Sequence, residues 1–294
     1  MRYRLRHVTR YAYGNPVELA AHMAHMRPRP MPFQTVLSDA VDTTPTTARR
    51  RDGHDHFGNR VTWLFLDLPH ADFELTAESL VEVAYPDPPA PDSTPPWEHV
   101  AEAARQPEHW QAVEFRFPTH LAPVNAETRA YAESSFTPGR PVLAALLDLN
   151  SRIFHDFRFR PGVTTVSTPV SQVIQKREGV CQDFTHVMVS ALRGLGLPAR
   201  YTSGYIRTRP PPGQAKRQGA DQSHAWVGAW IGPEHGWIDV DPTNGIVVKE
   251  EHVLLGWGRD FNDISPLRGV ILGGGRHNVT VSVDLEPAVE GDPV

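Results

Sequence analysis

Nucleophilic catalysis can be carried out by a cysteine, a histidine and an aspartate acting together, and this 294-residue chain offers Cys181, His224 and Asp241 in that order. A thiolate can attack a carbonyl carbon, an imidazole can carry the proton that bond making and breaking require, and a carboxylate can hold the imidazole in one tautomer. Cys181 is the only cysteine, so it cannot form a disulfide within the chain. A lone cysteine is more often a small buried hydrophobic residue than a nucleophile. The position of Cys181 in the fold must decide which of the two it is.

Cys181 lies at the start of a predicted helix. The apolar residues that follow it recur at steps of three and one, which places them on one face of a helix: Phe184, Val187, Met188, Ala191, Leu192 and Leu195. Gly196 and Pro198 predict where the helix ends, and Gly179 gives a flexible entry. The first turn of a helix offers unpaired backbone N–H groups and the positive end of the dipole, which favour a thiolate over a thiol.

His224 and Asp241 are predicted on two neighbouring strands. His224 heads the strand "HAWVGAWI", a Gly-containing turn follows, and "WIDVD" returns as a strand that ends at Asp241 because Pro242 stops the pairing. A hairpin of this kind places the imidazole beside the carboxylate, and a helix packed across the sheet could present Cys181 to it. Asp239, two residues earlier on the same face, is an alternative carboxylate.

The remaining candidate residues concern substrate and metal binding. Tyr205, Trp226 and Gln182 are the candidate substrate-contacting residues, and the polar segment 207–222 is equally consistent with a lid and with a plain surface loop. Segment 258–266 is expected to be structural, since Arg259 and Asp260 could pair locally, and a role in lining the site is the alternative. Two pairs of histidines are weak candidates for a metal site, namely His54 with His56 and His22 with His25. Further ligands are not apparent for either pair, so no metal or cofactor is predicted.

The composition narrows the class of protein. Forty per cent of the residues are hydrophobic, 21% are charged and the formal net charge is −5, with no basic stripe that would suggest nucleic-acid binding. The N-terminal residues lack the continuous apolar run of a signal peptide, and no uncharged apolar run approaches 18 residues. We therefore expect a cytoplasmic protein that binds neither nucleic acid nor membrane.

The pattern along the chain predicts an α+β protein in three parts. Residues 1–85 alternate as short strands separated by turn residues and are expected to form an antiparallel β domain. Residues 86–135 combine a Pro-rich linker with a helical segment. Residues 136–294 contain helices, the best of them over 140–159, followed by alternating strands, and are expected to form the core that carries the three candidate residues.

Several motifs resemble those of the transglutaminase-like superfamily. They are "GVCQDFTHVMVSALRGLGLPARYTSGY", "SHAWVGAW" and "GWIDVDPTNG", in that order. The segments "RHVTRYAYGNPV" and "GWGRDFNDISPLRGVILGGGRHNVTVSV" further resemble a bacterial branch with an appended β domain. The resemblance implies a papain-like core, in which a helix bearing the cysteine packs on an antiparallel sheet, together with a β-sandwich-like N-terminal domain.

The resemblance also implies an activity and a role for each residue. Cys181 falls on the nucleophile, His224 on the base and Asp241 on the orienting acid of thiol-dependent acyl transfer through a thioester. The expected substrate is a peptide or protein amide, and the acceptor is water, as in a peptidase or amidase, or an amine, as in a transglutaminase. The backbone N–H of Cys181 is one oxyanion donor, and the second stays open.

Two alternatives remain from the sequence. Arylamine N-acetyltransferases share the order Cys, His, Asp, but their motif places two glycines after an arginine before the cysteine, where this chain has "REGVC". A binding or scaffold module could also retain the fold without catalysis. The oligomeric state and the role of the β domain are not readable from the sequence.

Overall fold

The protein is an α+β molecule built on two antiparallel sheets, as seen in a computed structural model that describes residues 1–208 and 221–288. The strands of the described residues are β1 (Arg2–Ala24), β2 (Gln34–Thr44), β3 (Arg49–His54), β4 (Arg60–Leu66), β5 (His70–Val83), β6 (Arg158–Phe159), β7 (Glu178–Gly179), β8 (Ala199–Ile206), β9 (Gln222–Trp230), β10 (Trp237–Asp241), β11 (Ile246–Val247), β12 (His252–Gly258), β13 (Leu267–Gly273) and β14 (His277–Pro287). The α-helices are α1 (Trp97–Ala103), α2 (Trp110–Val113), α3 (Ala126–Glu133), α4 (Val142–Asp156), α5 (Val170–Lys176), α6 (Cys181–Gly194) and α7 (Phe261–Ile264). The α+β prediction is therefore confirmed.

The larger sheet is a single curled layer organised around β1. Its order is β2-β5-β1-β4-β3, with β13 and β14 also paired to β1. Strand β1 is one continuous strand of 23 residues, where the sequence predicted only short strands, and its register with β5 shifts between Ala12 and Val17. At this irregularity the backbone N–H of Gly14 donates to the carbonyl of Arg276 over 2.7 Å. The first half of β1 pairs with β5 and β14 and the second half with β4 and β13, so the strand bends while it stays hydrogen-bonded.

The last two strands do not belong to the sheet of the candidate core. β13 and β14, over residues 267–287, pair with β1 of the first sheet, whereas the predicted boundary groups them with residues 136–294. The alternating pattern of "NVTVSVDL" correctly indicated a strand, but alternation carries no information about which distant strand becomes the partner. The first sheet has seven strands in one curled antiparallel sheet.

The smaller sheet has the order β11-β10-β9-β8-β12, and helix α6 packs against it. The apolar residues predicted on one face of α6 are buried, apart from the partly buried Leu195. The opposite side is buried too, because α3, α4 and α5 also contact this helix, and Thr185 and Ser190 have no exposed surface. The Arg193 guanidinium is buried and donates to three backbone carbonyls, those of Phe115, Ala199 and Arg259. Helix α6 is thus the central helix of the core.

The two sheets share a hydrophobic core. Tyr3, Leu5 and Val81 from the first sheet pack together with Tyr205 and Val253 from the second. All five side chains are fully buried. The N-terminal sheet therefore packs directly on the sheet that carries His224 and Asp241.

Candidate active site

The chain enters helix α6 through a tightly fixed segment. Residues 178–179 form a short parallel pairing with residues 158–159. The Asp183 carboxylate accepts hydrogen bonds from the backbone N–H of Val180 over 2.8 Å and from the Thr164 hydroxyl over 2.7 Å. A Cβ atom on Gly179 would lie 2.7 Å from Asp183 Oδ2, so the glycine is needed for this close approach as well as for a flexible entry.

Cys181 is the first residue of α6 and is half-buried. It packs beside Tyr201, Ala225 and Ile264, all of them buried, and beside Phe261. Ala225 directly follows His224 on β9. Cys181 therefore combines a helix N-terminus with a position next to the histidine strand, and part of its surface stays accessible.

His224 and Asp241 lie side by side, as the hairpin predicted. His224 Nε2 is 2.8 Å from Asp241 Oδ2, and both side chains are buried. Asp241 Oδ2 also lies 3.2 Å from Nε2 of His252 and accepts a hydrogen bond from the Asn244 amide over 2.6 Å. Asp241 Oδ1 accepts from the backbone N–H groups of Thr243 and Asn244. The carboxylate is thus fixed by donors on both oxygens.

The electrostatics of this group favour charge separation. Burial alone would lower the pKa of His224, but hydrogen bonds to Asp241 and Cys181 and the negative charges of both partners raise it to about 10. Burial would favour the neutral acid at Asp241, but hydrogen bonds from His224 and His252 and their positive charge hold its pKa far below the usual range. At neutral pH the arrangement therefore stabilises an imidazolium next to a carboxylate and a sulfur atom.

Asp239 has a different partner from Asp241. Its carboxylate lies 3.3 Å from the Arg200 guanidinium, and both side chains are about 6% exposed. The guanidinium stacks between the indole rings of Trp237 and Trp257, 4.6 and 3.8 Å from their centroids. Asp239 is therefore engaged in a buried ion pair with Arg200.

The three candidate substrate-contacting residues lie in unlike surroundings. Tyr205 has no exposed surface, and its hydroxyl lies 2.7 Å from Nδ1 of His7 in the core between the sheets. Trp226 has no exposed surface either. Gln182 is half-buried, and its amide donates to the carbonyl of Val166 over 3.3 Å. Burial gives no support to direct substrate contact by Tyr205 or Trp226, whereas Gln182 lies next to Cys181 with part of its surface open.

Two further expectations concern loops. Residues 209–220, most of the proposed lid, lie outside the described residues. In segment 258–266 Arg259 pairs with Asp263 over 2.8 Å, while Asp260 accepts a hydrogen bond from the backbone N–H of Asn262 and caps α7. Arg259 therefore forms its hydrogen-bonded ion pair with Asp263, and the Asp260 carboxylate instead accepts from the backbone at the start of α7.

The weak histidine pairs do not converge on a metal site in the described part of the chain. His25 contacts Asp55 over 3.2 Å, and His56 contacts Glu114 over 2.9 Å. Within residues 1–208 and 221–288 the grouping with metal-binding geometry is His224, Asp241 and His252. Its carboxylate oxygens already accept hydrogen bonds from five directions, so proton donors satisfy it without an ion.

His252 and Asn244 are the site residues that sequence reasoning missed. Asn244 follows Asp241 in a tight turn, and "DPTNG" could have indicated an Asn side chain folding back on the aspartate. His252 lies on β12 at the far edge of the sheet. Among fifteen histidines it has no local signal, because its proximity to Asp241 depends on the pairing of β12 with β8.

A large cavity of the described residues lies elsewhere. It measures about 570 Å³ and is lined by side chains that include Arg29, Tyr85, Arg200, Trp237 and Trp257. None of Cys181, His224 and Asp241 lines it. The chemical arrangement around His224, and not cavity size, identifies the candidate site.

Two family models match the chain. The bacterial transglutaminase-like N-terminal region matches residues 3–82, and the transglutaminase-like superfamily matches residues 129–242. An uncharacterised protein of Mycobacterium tuberculosis is 38% identical over 99% of this chain and 94% of its own length. An uncharacterised protein of Mycobacterium leprae is 32% identical over 97% of this chain and 98% of its own. Cys181, His224 and Asp241 all lie within the second matched segment.

Other similarities are more distant. A protein-glutamine gamma-glutamyltransferase of Pseudomonas aeruginosa is 29% identical over 49% of this chain and 23% of its own length. A crystal structure from Cytophaga hutchinsonii, provisionally described as a cysteine protease, superposes with a TM-score of 0.73 at 20% identity and covers 99% of this chain and 92% of its own. That similarity shows the fold. Among the described residues no helix is long and apolar enough to cross a membrane, and the cytoplasmic location stays a prediction.

Proposed function

We propose that this chain, which belongs to the transglutaminase-like superfamily, is a thiol-dependent enzyme that transfers an acyl group from a peptide or protein amide. In this proposal Cys181 is the nucleophile, His224 the acid and base, and Asp241 the residue that orients the imidazole. The observation that carries it is the position of His224, which lies 2.8 Å from Asp241. Interactions with Asp241 and Cys181 raise the pKa of its imidazole to about 10, against the effect of burial.

The first half of the reaction forms a thioester. The Cys181 sulfur attacks the amide carbonyl carbon, the carbon–nitrogen bond breaks, and the departing amine takes its proton from the His224 imidazolium. Because His224 Nε2 faces Asp241, the other ring nitrogen, Nδ1, is the one available to the sulfur and the amine. The backbone N–H of Cys181 at the start of α6 is one donor for the oxyanion.

The second half releases the acyl group. Neutral His224 takes a proton from water or from a primary amine, which attacks the thioester carbonyl and expels the Cys181 thiolate. Water gives a peptidase or amidase, and an amine gives a transglutaminase. The same three residues serve both outcomes, so the acceptor is left open in the proposal.

Alkylation of Cys181 tests the thiolate without a known substrate. Intact mass spectrometry with iodoacetamide reports a single adduct, because Cys181 is the sole cysteine, and Cys181→Ala is the matched control that must stay unlabelled. We expect wild-type protein at pH 6 to be labelled at least about tenfold faster than an ordinary thiol with a pKa near 8.5. His224→Ala should lose that advantage while circular dichroism stays unchanged.

Slow labelling of folded wild-type protein, rising only above pH 8 and equal in His224→Ala, would contradict the proposal and return Cys181 to a packing role. The substrate class needs a second assay. A peptide library scored both for hydrolysis and for incorporation of a primary amine separates the two acceptors. Acetyl-CoA with an arylamine tests the N-acetyltransferase alternative, for which no turnover is expected.

A further inference from the structure

A second imidazole contacts the carboxylate of the candidate site. His252, on β12, places its Nε2 3.2 Å from Asp241 Oδ2. Its side chain is 1% exposed. The ring meets the Trp226 indole edge to face with centroids 5.3 Å apart, and its centroid lies 6.0 Å from that of His224. His252 is therefore held in place by its own packing, and Asp241 Oδ2 is shared between the imidazoles of His252 and His224.

The hydrogen bond fixes which nitrogen of His252 carries a proton. Asp241 accepts from three side chains at Oδ2, so Nε2 of His252 must be the donor. Nδ1 of His252 is buried and has no partner among the described residues. A buried nitrogen without a partner disfavours folding, so stability alone does not account for a histidine at this position.

We propose that His252 is a positioning residue, which holds the Asp241 carboxylate through Nε2–H and draws part of its negative charge away from His224. This inference rests on the function proposed above. Its consequence is that His224 keeps enough acidity to give its proton to the departing amine.

The direction in which the loss of His252 should shift the pKa of His224 follows from the charges around His224. The titratable groups that contact it are Asp241 from β10, Cys181 from α6 and His252 from β12, while β8 places the uncharged Gly204 opposite it. A donor on Asp241 lowers the negative potential that the carboxylate exerts on the imidazolium. Removal of that donor should raise the pKa of His224 further and make the imidazolium a weaker acid.

Iodoacetate is a suitable probe of His224 in the intact chain. This anionic reagent is attracted to the imidazolium, so alkylation of Cys181 should rise with pH as the thiolate forms and fall again as His224 loses its proton. The alkaline limb of this profile reports the ionisation of His224. A structural role for His252 would alter folding but would not move this limb.

Three substitutions of His252 separate a hydrogen-bond donor from a space-filling ring. His252→Phe retains a flat ring without a donor, and His252→Asn carries an amide too short to reach Asp241. Both should shift the alkaline limb to higher pH by about half a unit or more. His252→Gln places its amide nitrogen near the position of Nε2 and should restore the wild-type profile. His7→Gln, at a buried histidine that contacts Tyr205, should leave the profile unchanged.

The outcomes distinguish this inference from the proposed function. An alkaline limb that stays in place in both His252→Phe and His252→Asn overturns the inference, as does a His252→Gln profile that matches His252→Phe. A wild-type profile that rises as a simple thiol titration, with no fall at high pH, contradicts the proposed function itself. Circular dichroism on each variant shows that folded proteins are being compared, and His252→Asn keeps the test decisive if the larger ring of His252→Phe prevents folding.

Discussion

Two carboxylates on strand β10, only two residues apart, have opposite surroundings. Asp239 faces the Arg200 guanidinium, which is enclosed by indole rings. Asp241 faces the imidazoles of His224 and His252. Both carboxylates are buried, and both point to the same side of the sheet.

The difference lies in whether the partner can exchange its proton. A guanidinium stays protonated at every physiological pH, so the Asp239–Arg200 pair can hold elements together but cannot move a proton. An imidazolium can release its proton, so Asp241 is placed where its charge can control a proton transfer. The comparison separates a structural carboxylate from a candidate catalytic one, and each prediction below tests that separation.

The largest effect on stability is expected from breaking the structural pair, which is the ion pair of Arg200 with Asp239. Arg200→Ala leaves Asp239 buried without its cation and should lower the free energy of unfolding by about 3–5 kcal/mol, as measured by urea denaturation. The Cys181 alkylation profile of the folded variant should stay that of the wild type. A double variant, Arg200→Met with Asp239→Leu, should recover much of the stability because no unpaired charge remains. A changed alkylation profile in folded Arg200→Ala would remove the distinction between the two carboxylates.

The second effect concerns reactivity. Asp241→Asn removes the negative charge beside His224, so the imidazolium should no longer persist at pH 6. Alkylation of Cys181 by iodoacetamide at that pH should fall by up to about a hundredfold, toward the rate of an ordinary thiol. Asp239→Asn is the matched control two residues away and should keep the wild-type rate while losing stability. Equal rates in the two variants would show that the carboxylates are interchangeable.

Much of this comparison was accessible from the sequence for local reasons. The start of α6 at Cys181, its end before Gly196, and the hairpin that joins His224 to Asp241 all depend on residues close together in the chain. The family resemblance favoured Asp241 over Asp239 as the orienting acid. The pairing of Asp239 with Arg200 was not predicted, because the two residues lie on β10 and β8 with β9 between them.

The parts that sequence reasoning missed depend on long-range contacts. His252 reaches Asp241 only because β12 pairs with β8 at the edge of the sheet. The pairing of β13 and β14 with β1 joins residues more than 240 positions apart. The burial of Tyr205 depends on the packing of two sheets against each other. Hydrophobic alternation predicts that a strand exists, but tertiary packing decides its neighbours.

The third effect tests how closely the structural pair is packed. A Cβ atom on Gly228 would lie 2.7 Å from Asp239 Oδ1 and would also collide with Arg200 Nε. Gly228→Ala should therefore displace the ion pair and lower the free energy of unfolding by about 1–3 kcal/mol in urea denaturation. Gly236→Ala is the control for the loss of a glycine without a steric neighbour, although its positive φ of 68° brings its own strain. Alkylation of Cys181 in Gly228→Ala should match the wild type.

The last effect, small within any one pH unit, is the pH dependence of stability that the Asp241 group contributes. The pKa of His224 is raised from 6.5 to about 10, so its stabilisation is complete below pH 6.5 and is lost as the pH rises toward 10. The pKa of Asp241 is lowered from 3.8, so its stabilisation is present above pH 3.8 and is lost as the pH falls below that value. Each of these two limbs can change the free energy of unfolding by at most about 1.4 kcal/mol per pH unit. Urea denaturation from pH 3 to pH 10 should show both limbs in the wild type and weaker ones in Asp241→Asn. The double variant Arg200→Met with Asp239→Leu is the control. It should retain the alkaline limb in full, because a guanidinium does not titrate in this range.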